Sequence, residues 1–174
     1  MIRIAVTGSE CTGKTTLAEA MAKHYDTVWV PEFARRFVEE KGAAPEYADV
    51  EAIARGQMAL EDRIGSEAGG LLIQDTDLLS TIVYSRHYYG DCPWWIEEEL
   101  RARAGDLYLL ADIDVPWTAD SDQRDRGDRR EEMHGLFRAA LESRGLNFAE
   151  LHGSPRNRKG TAVSLVTQLL ANES

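Results

Sequence analysis

The stretch from Gly8 to Thr15, GSECTGKT, matches G-x-x-x-x-G-K-[ST] at every position and constrains this chain more than any other feature. The apolar run Ile2-Arg3-Ile4-Ala5-Val6 precedes it, and the helix-compatible Thr16-Leu17-Ala18-Glu19-Ala20-Met21-Ala22 follows. A buried strand, a glycine-rich turn and a helix start are the context in which this pattern binds phosphate. Glycines allow backbone N–H groups to converge on phosphate oxygens, and the helix N-terminus adds the positive end of its dipole. The candidate ATP-binding set is therefore Gly8, Ser9, Glu10, Cys11, Thr12, Gly13, Lys14, Thr15 and Thr16. Lys14 reaches toward the β- and γ-phosphates, and the Thr15 hydroxyl is placed to ligate Mg²⁺. The plain alternative is a glycine turn that caps an ordinary strand.

A chain of 174 residues, 43% hydrophobic and 29% charged, suits one globular domain with a full core. No apolar run approaches the roughly 18 residues of a membrane span, and the N-terminal residues enter a strand directly, so a cytoplasmic protein is expected. Cys11 and Cys92 are two thiols with no metal-ligand spacing to the histidines, which suits a reducing compartment. A net charge of −10 argues against nucleic acid or anionic membrane as partner. Arginines nevertheless cluster between Arg124 and Arg130, which favours a small anionic substrate over a polyanion.

Strands are expected at 2–7, 27–30, 71–73, 106–111 and 147–151. Helices are expected at 14–25, 32–41, 47–65, 78–88, 94–103, 131–143 and 159–170. Alternation of short apolar strands with helices predicts a P-loop NTPase fold, a three-layer α/β/α sandwich on a five-stranded parallel sheet. Ligands are then expected at the carboxyl ends of the strands. One domain spans residues 1–174.

Asp75 follows the third strand, where a carboxylate can fix the water shell of a phosphate-bridging Mg²⁺. Asp77 has two readings, a contact to metal or acceptor and an N-cap of the next helix. Glu32 ends the second strand beside the phosphate site, as a general base for an acceptor hydroxyl or as a plain helix-start acid. Arg35 and Arg36 lie one turn on, available to acceptor or phosphate, or facing solvent. The segment 114–131 reads as an arginine-rich lid carrying Arg124, Arg126 and Arg129 to the transferring phosphoryl, with a solvated charged loop as the alternative. Tyr84, Tyr88, Trp94, Trp95 and Trp117 (with Tyr89) form a set suited to stacking on a planar acceptor, although core or interface packing is the better account of any one of them. The Gly153-Ser154-Pro155 turn lies where an adenine base would rest.

With these pieces in place, the chain resembles the ribosylnicotinamide kinase domain of NadR-type proteins, relatives of nucleoside and nucleotide kinases. GSECTGKTTLAEA, VPEFAR, IARGQ, DTDLLSTIVYS, YYGDCPWWI, DLYLLADIDVPW and LHGSPRNR carry the resemblance in the family's order. It implies ATP- and Mg²⁺-dependent phosphorylation of the 5′-hydroxyl of nicotinamide riboside. Lys14 and Thr15 would then hold ATP and Mg²⁺, and Asp75 would serve the metal. Glu32 would match the carboxylate that deoxynucleoside kinases keep after their second strand. The aromatics from Tyr84 to Trp95, with Trp117, would flank the nicotinamide. The resemblance extends neither to the adenylyltransferase nor to the DNA-binding domain of the longer family members, so it implies mononucleotide formation at most. Two other readings stand beside it, a kinase for another nucleoside or nucleotide and a nucleotide-gated regulatory ATPase that needs no small acceptor.

Overall fold

Ile4, Ala5 and Val6 have no exposed surface, a state a strand reaches only with neighbours on both edges and helices on both faces. The computed structural model, which describes residues 1–114 and 129–172, places them at the centre of a parallel sheet. β1 (Ile2–Thr7) lies between β3 (Leu71–Asp75) and β4 (Leu107–Ala111), with β2 (Trp29–Val30) and β5 (Phe148–Leu151) at the edges. The order is β2-β3-β1-β4-β5, and every pair is parallel. The chain leaves β1 toward one edge, returns, and then jumps across β1 to β4. That reversal opens a crevice at the carboxyl ends of the strands.

Register decides what meets there. Val6 pairs with Asp75 and Val30 with Gln74. The residues that follow β1 and β2, the phosphate loop and Glu32, therefore emerge at the level of Asp75.

Side-chain alternation divides the core in two. Ile4, Val6, Leu107 and Leu109 face α1 (Lys14–Tyr25) and α7 (Pro155–Asn172), where Leu17, Met21, Ala162 and Val166 are buried. Ala5, Tyr108 and Leu110 face the other layer. That layer is α3 (Val50–Gly65), α4 (Leu78–Tyr89), α5 (Trp94–Arg103) and α6 (Arg130–Ser143), which contribute Ala54, Ile82, Leu100 and Phe137. α2 (Phe33–Lys41) lies against α3 and buries no residue fully. Among the described residues no helix is long and apolar enough to cross a membrane.

The structure corrects several expected boundaries, among them the third strand, which runs past 73 to include Asp75. The closing helix starts at Pro155 rather than 159, because proline suits the first helical position. The Ser154 hydroxyl also accepts the Asn157 N–H at 3.2 Å, a cap for that turn. The expected strand 27–30 shrinks to two residues, since the Thr27 N–H still bonds Ala22 of α1 and Pro31 follows directly. Residues 47–49 form a 3₁₀ turn ahead of α3, closed by the reciprocal capping of Glu46 and Asp49.

Gly8 is where the loop meets the sheet. Its φ is +130°, and a Cβ there would lie 2.9 Å from the Ala111 carbonyl oxygen of β4. Gly8→Ala is expected to cost about 2 kcal/mol, or roughly 4–8 °C in Tm. An unchanged thermal melt would show that the loop does not need this close approach.

Candidate active site

The phosphate loop holds its shape through bonds of its own. Gly13 and Cys11 occupy left-handed conformations, at φ +80° and +56°. The Thr12 hydroxyl and the Lys14 ammonium both donate to the Ser9 carbonyl, at 2.9 and 2.7 Å. Thr16 is exposed on the first turn of α1. From outside, Arg158 of α7 donates through Nη1 to the Thr12 carbonyl at 2.7 Å.

Asp75 ends β3 and accepts the Thr15 hydroxyl at 2.6 Å through Oδ2. Its Oδ1 and the Ser9 hydroxyl are both buried and have no hydrogen-bond partner among the described residues. Hard oxygen ligands of this kind, beside a phosphate loop, fit Mg²⁺. Thr76 follows at φ +67°, a conformation that costs a β-branched residue about 1–3 kcal/mol. Strain between two buried aspartates is a mark of a site under functional constraint.

A cavity of about 260 Å³ opens beside this end of the sheet. Lys14, Glu10 and Cys11 border it from the loop, and Glu32, Arg35 and Glu39 from α2 and its start. Gln57, Thr76, Asp77, Tyr84 and Tyr89 also line it. Four carboxyl groups thus face one ammonium and one guanidinium. Glu32 stands at the N-cap position of α2 without capping it, and Arg35 lies 3.9 Å from its carboxylate. Burial pushes the Glu32 carboxyl above its ordinary value, Lys14 opposes the rise and Asp75 adds to it.

Asp77 caps α4, accepting the Leu79 N–H at 3.0 Å, and also accepts the Tyr108 hydroxyl at 2.6 Å. The helix-cap reading describes this geometry, although the residue also borders the cavity. Burial pushes its carboxyl up to about 6 against those two hydrogen bonds.

Other expected participants lie elsewhere. Arg36 is exposed and bonds Glu40 at 2.7 Å, because it faces along α2 rather than inward. Trp94 opens α5 and is 72% exposed, while Trp95 packs beneath the Arg55 guanidinium at 4.4 Å. Neither tryptophan lines the cavity, since α5 presents Ile96 and Leu100 inward instead. Tyr88 stacks on Tyr84 from outside, with ring centroids 6.0 Å apart. Arg129 is exposed just before α6. Trp117, Arg124, Arg126 and most of the expected lid lie outside the described residues. Gly153 and Pro155 sit at the β5–α7 turn, joined to the loop by Arg158, whose Nε donates to the Gly153 carbonyl at 3.0 Å.

Five residues of the site escape the sequence reading, among them Glu39 of α2. Arg158 and Gln57 lie within the motifs LHGSPRNR and IARGQ, but nothing in their spacing assigns them a contact. Thr76 stands between two candidate aspartates. Tyr108, a phenol within a fully buried strand, was the most visible signal of a buried polar partner.

With this geometry in view, the comparisons with known proteins agree on the fold. A family model described as an AAA domain matches residues 3–158. The trifunctional NAD biosynthesis/regulator protein NadR of Escherichia coli (strain K12) is 27% identical over 177 residues, covering 98% of this chain and 43% of that protein. The same-named protein of Salmonella typhimurium is 27% identical over 121 residues, 67% of this chain and 30% of that protein. The chain thus spans less than half the length of the curated relatives it matches. A crystal structure of NadR protein in complex with NAD and AMP-PNP superposes at TM-score 0.77, with 24% identity over 96% of this chain and 49% of that chain. Thymidylate kinase from Ehrlichia chaffeensis superposes at TM-score 0.70, with 14% identity over 96% and 98% of the two chains. The fold is that of the P-loop kinases.

Buried carboxyls also set the response to pH. Glu61 on α3 is raised from 4.5 to about 7 by burial and by Asp77, against Gln57 and Arg103, and Asp77 is raised from 3.8 to about 6. Raised values mean the folded state holds protons the unfolded state has released. The stability these groups contribute is complete below their unfolded values and is lost as pH rises through 6 and 7. Between pH 5 and pH 8 the protein is expected to lose on the order of 1–3 kcal/mol from this source. Thermal melts of the native chain and Glu61→Gln at both pH values check it, the variant losing less; equal losses would remove Glu61 as a cause.

Proposed function

Because the chain belongs to the AAA domain family, with a phosphate loop in place at its sheet end, we propose that it is an ATP- and Mg²⁺-dependent kinase that phosphorylates the 5′-hydroxyl of nicotinamide riboside. One observation carries the reading: Glu32 lines the same cavity as Lys14 of the phosphate loop, close enough for the two charges to interact. A carboxylate on the acceptor side beside the phosphate lysine is what phosphoryl transfer to an alcohol requires.

In this reading the loop backbone and Lys14 hold the triphosphate of ATP. Thr15 and Asp75 would hold Mg²⁺, which when bound neutralises charge across the phosphates. The acceptor hydroxyl oxygen attacks the γ-phosphorus as the bond to the bridging oxygen of ADP breaks, and the hydroxyl proton passes to Glu32. Burial supports that role, because a raised carboxyl is a stronger base for the proton it receives.

Nicotinamide riboside is favoured as acceptor by two considerations. The relatives of known name act in NAD biosynthesis. Glu10, Glu39, Tyr84 and Tyr89 also line the cavity, and carboxylates and π-faces both attract a cationic ring such as a pyridinium. A second reading, a kinase for an acceptor that already bears a phosphate, draws on Arg35 at the cavity edge and on the likeness in fold to thymidylate kinase.

ADP release from ATP and Mg²⁺ is expected to rise strongly with nicotinamide riboside, with mononucleotide as product, and to stay low without acceptor. Release indifferent to every nucleoside and nucleotide offered would turn the reading toward a regulatory ATPase. Glu32→Gln is expected to lower turnover by roughly 10²–10⁴-fold while ATP still binds. Full turnover in that variant would take Glu32 out of the mechanism.

A further inference from the structure

α2 is an odd helix on which to mount a base. It has no fully buried residue, and its N-cap residue Glu32 makes no side-chain cap bond. Helix starts leave several N–H groups without intrahelical partners, and the N-cap side chain ordinarily takes one of them. Here the first helical N–H, that of Phe33, donates to Gln57 Oε1 of α3 at 2.9 Å. That bond anchors the residue beside Glu32 to α3, while the Glu32 carboxylate, which caps no N–H, lines the cavity.

Gln57 cannot readily turn away. It is 3% exposed, and its Nε2 donates to Glu61 Oε1 at 3.2 Å, which sets which end of the amide faces Phe33. Glu61, 1% exposed, is held in turn by Arg103 Nη1 at 3.1 Å. The neighbouring residue grips the other half of Phe33. Gly56 sits in the interior of α3, where glycine costs helix stability, and a Cβ there would lie 2.1 Å from the Phe33 ring. Its glycine is needed for the ring to seat against the α3 backbone.

We propose that Gly56 and Gln57 are positioning residues that hold the Glu32 carboxylate at the acceptor cavity by clamping Phe33, its ring in the glycine notch and its N–H on the amide. The inference rests on the reading of Glu32 as the acceptor-side base. It gives the adjacent Gly56-Gln57 pair of IARGQ a job in the chemistry beyond lining the cavity, as Gln57 also does.

A double-mutant cycle tests it, with Gln57→Leu made alone and in the Glu32→Gln background, and single-turnover phosphoryl transfer to nicotinamide riboside as the readout. A displacement of about 1 Å at a reacting group can lower the rate by roughly 100-fold. Gln57→Leu alone is expected to reduce the transfer rate by about 10–100-fold, with the affinity for ATP unchanged and the KM for acceptor little altered. In the Glu32→Gln background the same substitution is expected to add almost nothing, because the group it positions is already gone. Gly56→Ala is expected to follow the same pattern.

Equal losses in both backgrounds, with Glu32→Gln itself impaired, overturn the positioning role and leave Glu32 as base. Thermal melts and ATP affinity at the native level in each variant show that such losses do not come from unfolding. A raised acceptor KM at an unchanged rate overturns the proposal in favour of direct acceptor contact by Gln57. Full turnover in Glu32→Gln alone overturns the reading of Glu32, and this inference with it.

Discussion

A single buried guanidinium holds the nucleotide end of this molecule together. Arg158, 4% exposed, donates to the carbonyls of Thr12, Asp112 and Gly153 and pairs with the Asp114 carboxylate. These partners belong to the loops that follow β1, β4 and β5. A buried cation is tolerable only when its donors are engaged, so the charge obliges three chain segments to converge. The loop that binds phosphate depends on this tie as much as on its own glycines. Thr12 and Lys14 fasten the loop internally, and Arg158 fastens it to the sheet.

The acceptor side is built differently. On the proposed function the phosphate side would work through backbone amides and a helix end, whereas the acceptor side would stand on buried carboxyl groups held by side chains. Tyr108 and the Leu79 N–H hold Asp77, and Gln57 and Arg103 hold Glu61. The Tyr108 hydroxyl also accepts the Gly105 N–H at 3.2 Å, which links the carboxyl to the turn before β4. Such networks stabilise one arrangement over others when every member has a partner, and they are costly when one is lost. Backbone cradles recur wherever the loop pattern occurs. A side-chain network of this kind is particular to its sequence, and specificity for an acceptor belongs on that side.

The same division explains what could be read in the linear chain. The run ahead of GSECTGKT and the helix after it are local features, and α1 begins and ends at 14 and 25 as expected. The register that brings Asp75 beside Thr15 follows once the sheet is parallel. Trp94 and Trp95 show the limit. Their position on a helix is local, but the face that α5 turns inward is decided by Ile96 and Leu100 meeting a neighbouring layer. Arg36 fails to reach the cavity for a similar reason, since Glu40 one turn on offers it a nearer partner. Arg158, Gln57 and Tyr108 were opaque because each acts on residues 24 or more positions away. Their partners exist only after the helices have docked.

The closeness of Gly8 to Ala111 has a consequence for how this chain is made. β1 precedes both of its neighbours in the chain, since the strands on either side of it end at Asp75 and Ala111. The carbonyl of Thr12 waits longer still, for an arginine in the last helix. Contacts so distant in sequence form late, and a domain emerging N-terminus first holds its earliest strand unpaired until they arrive. Within this domain the phosphate loop is made ahead of the segments that complete it.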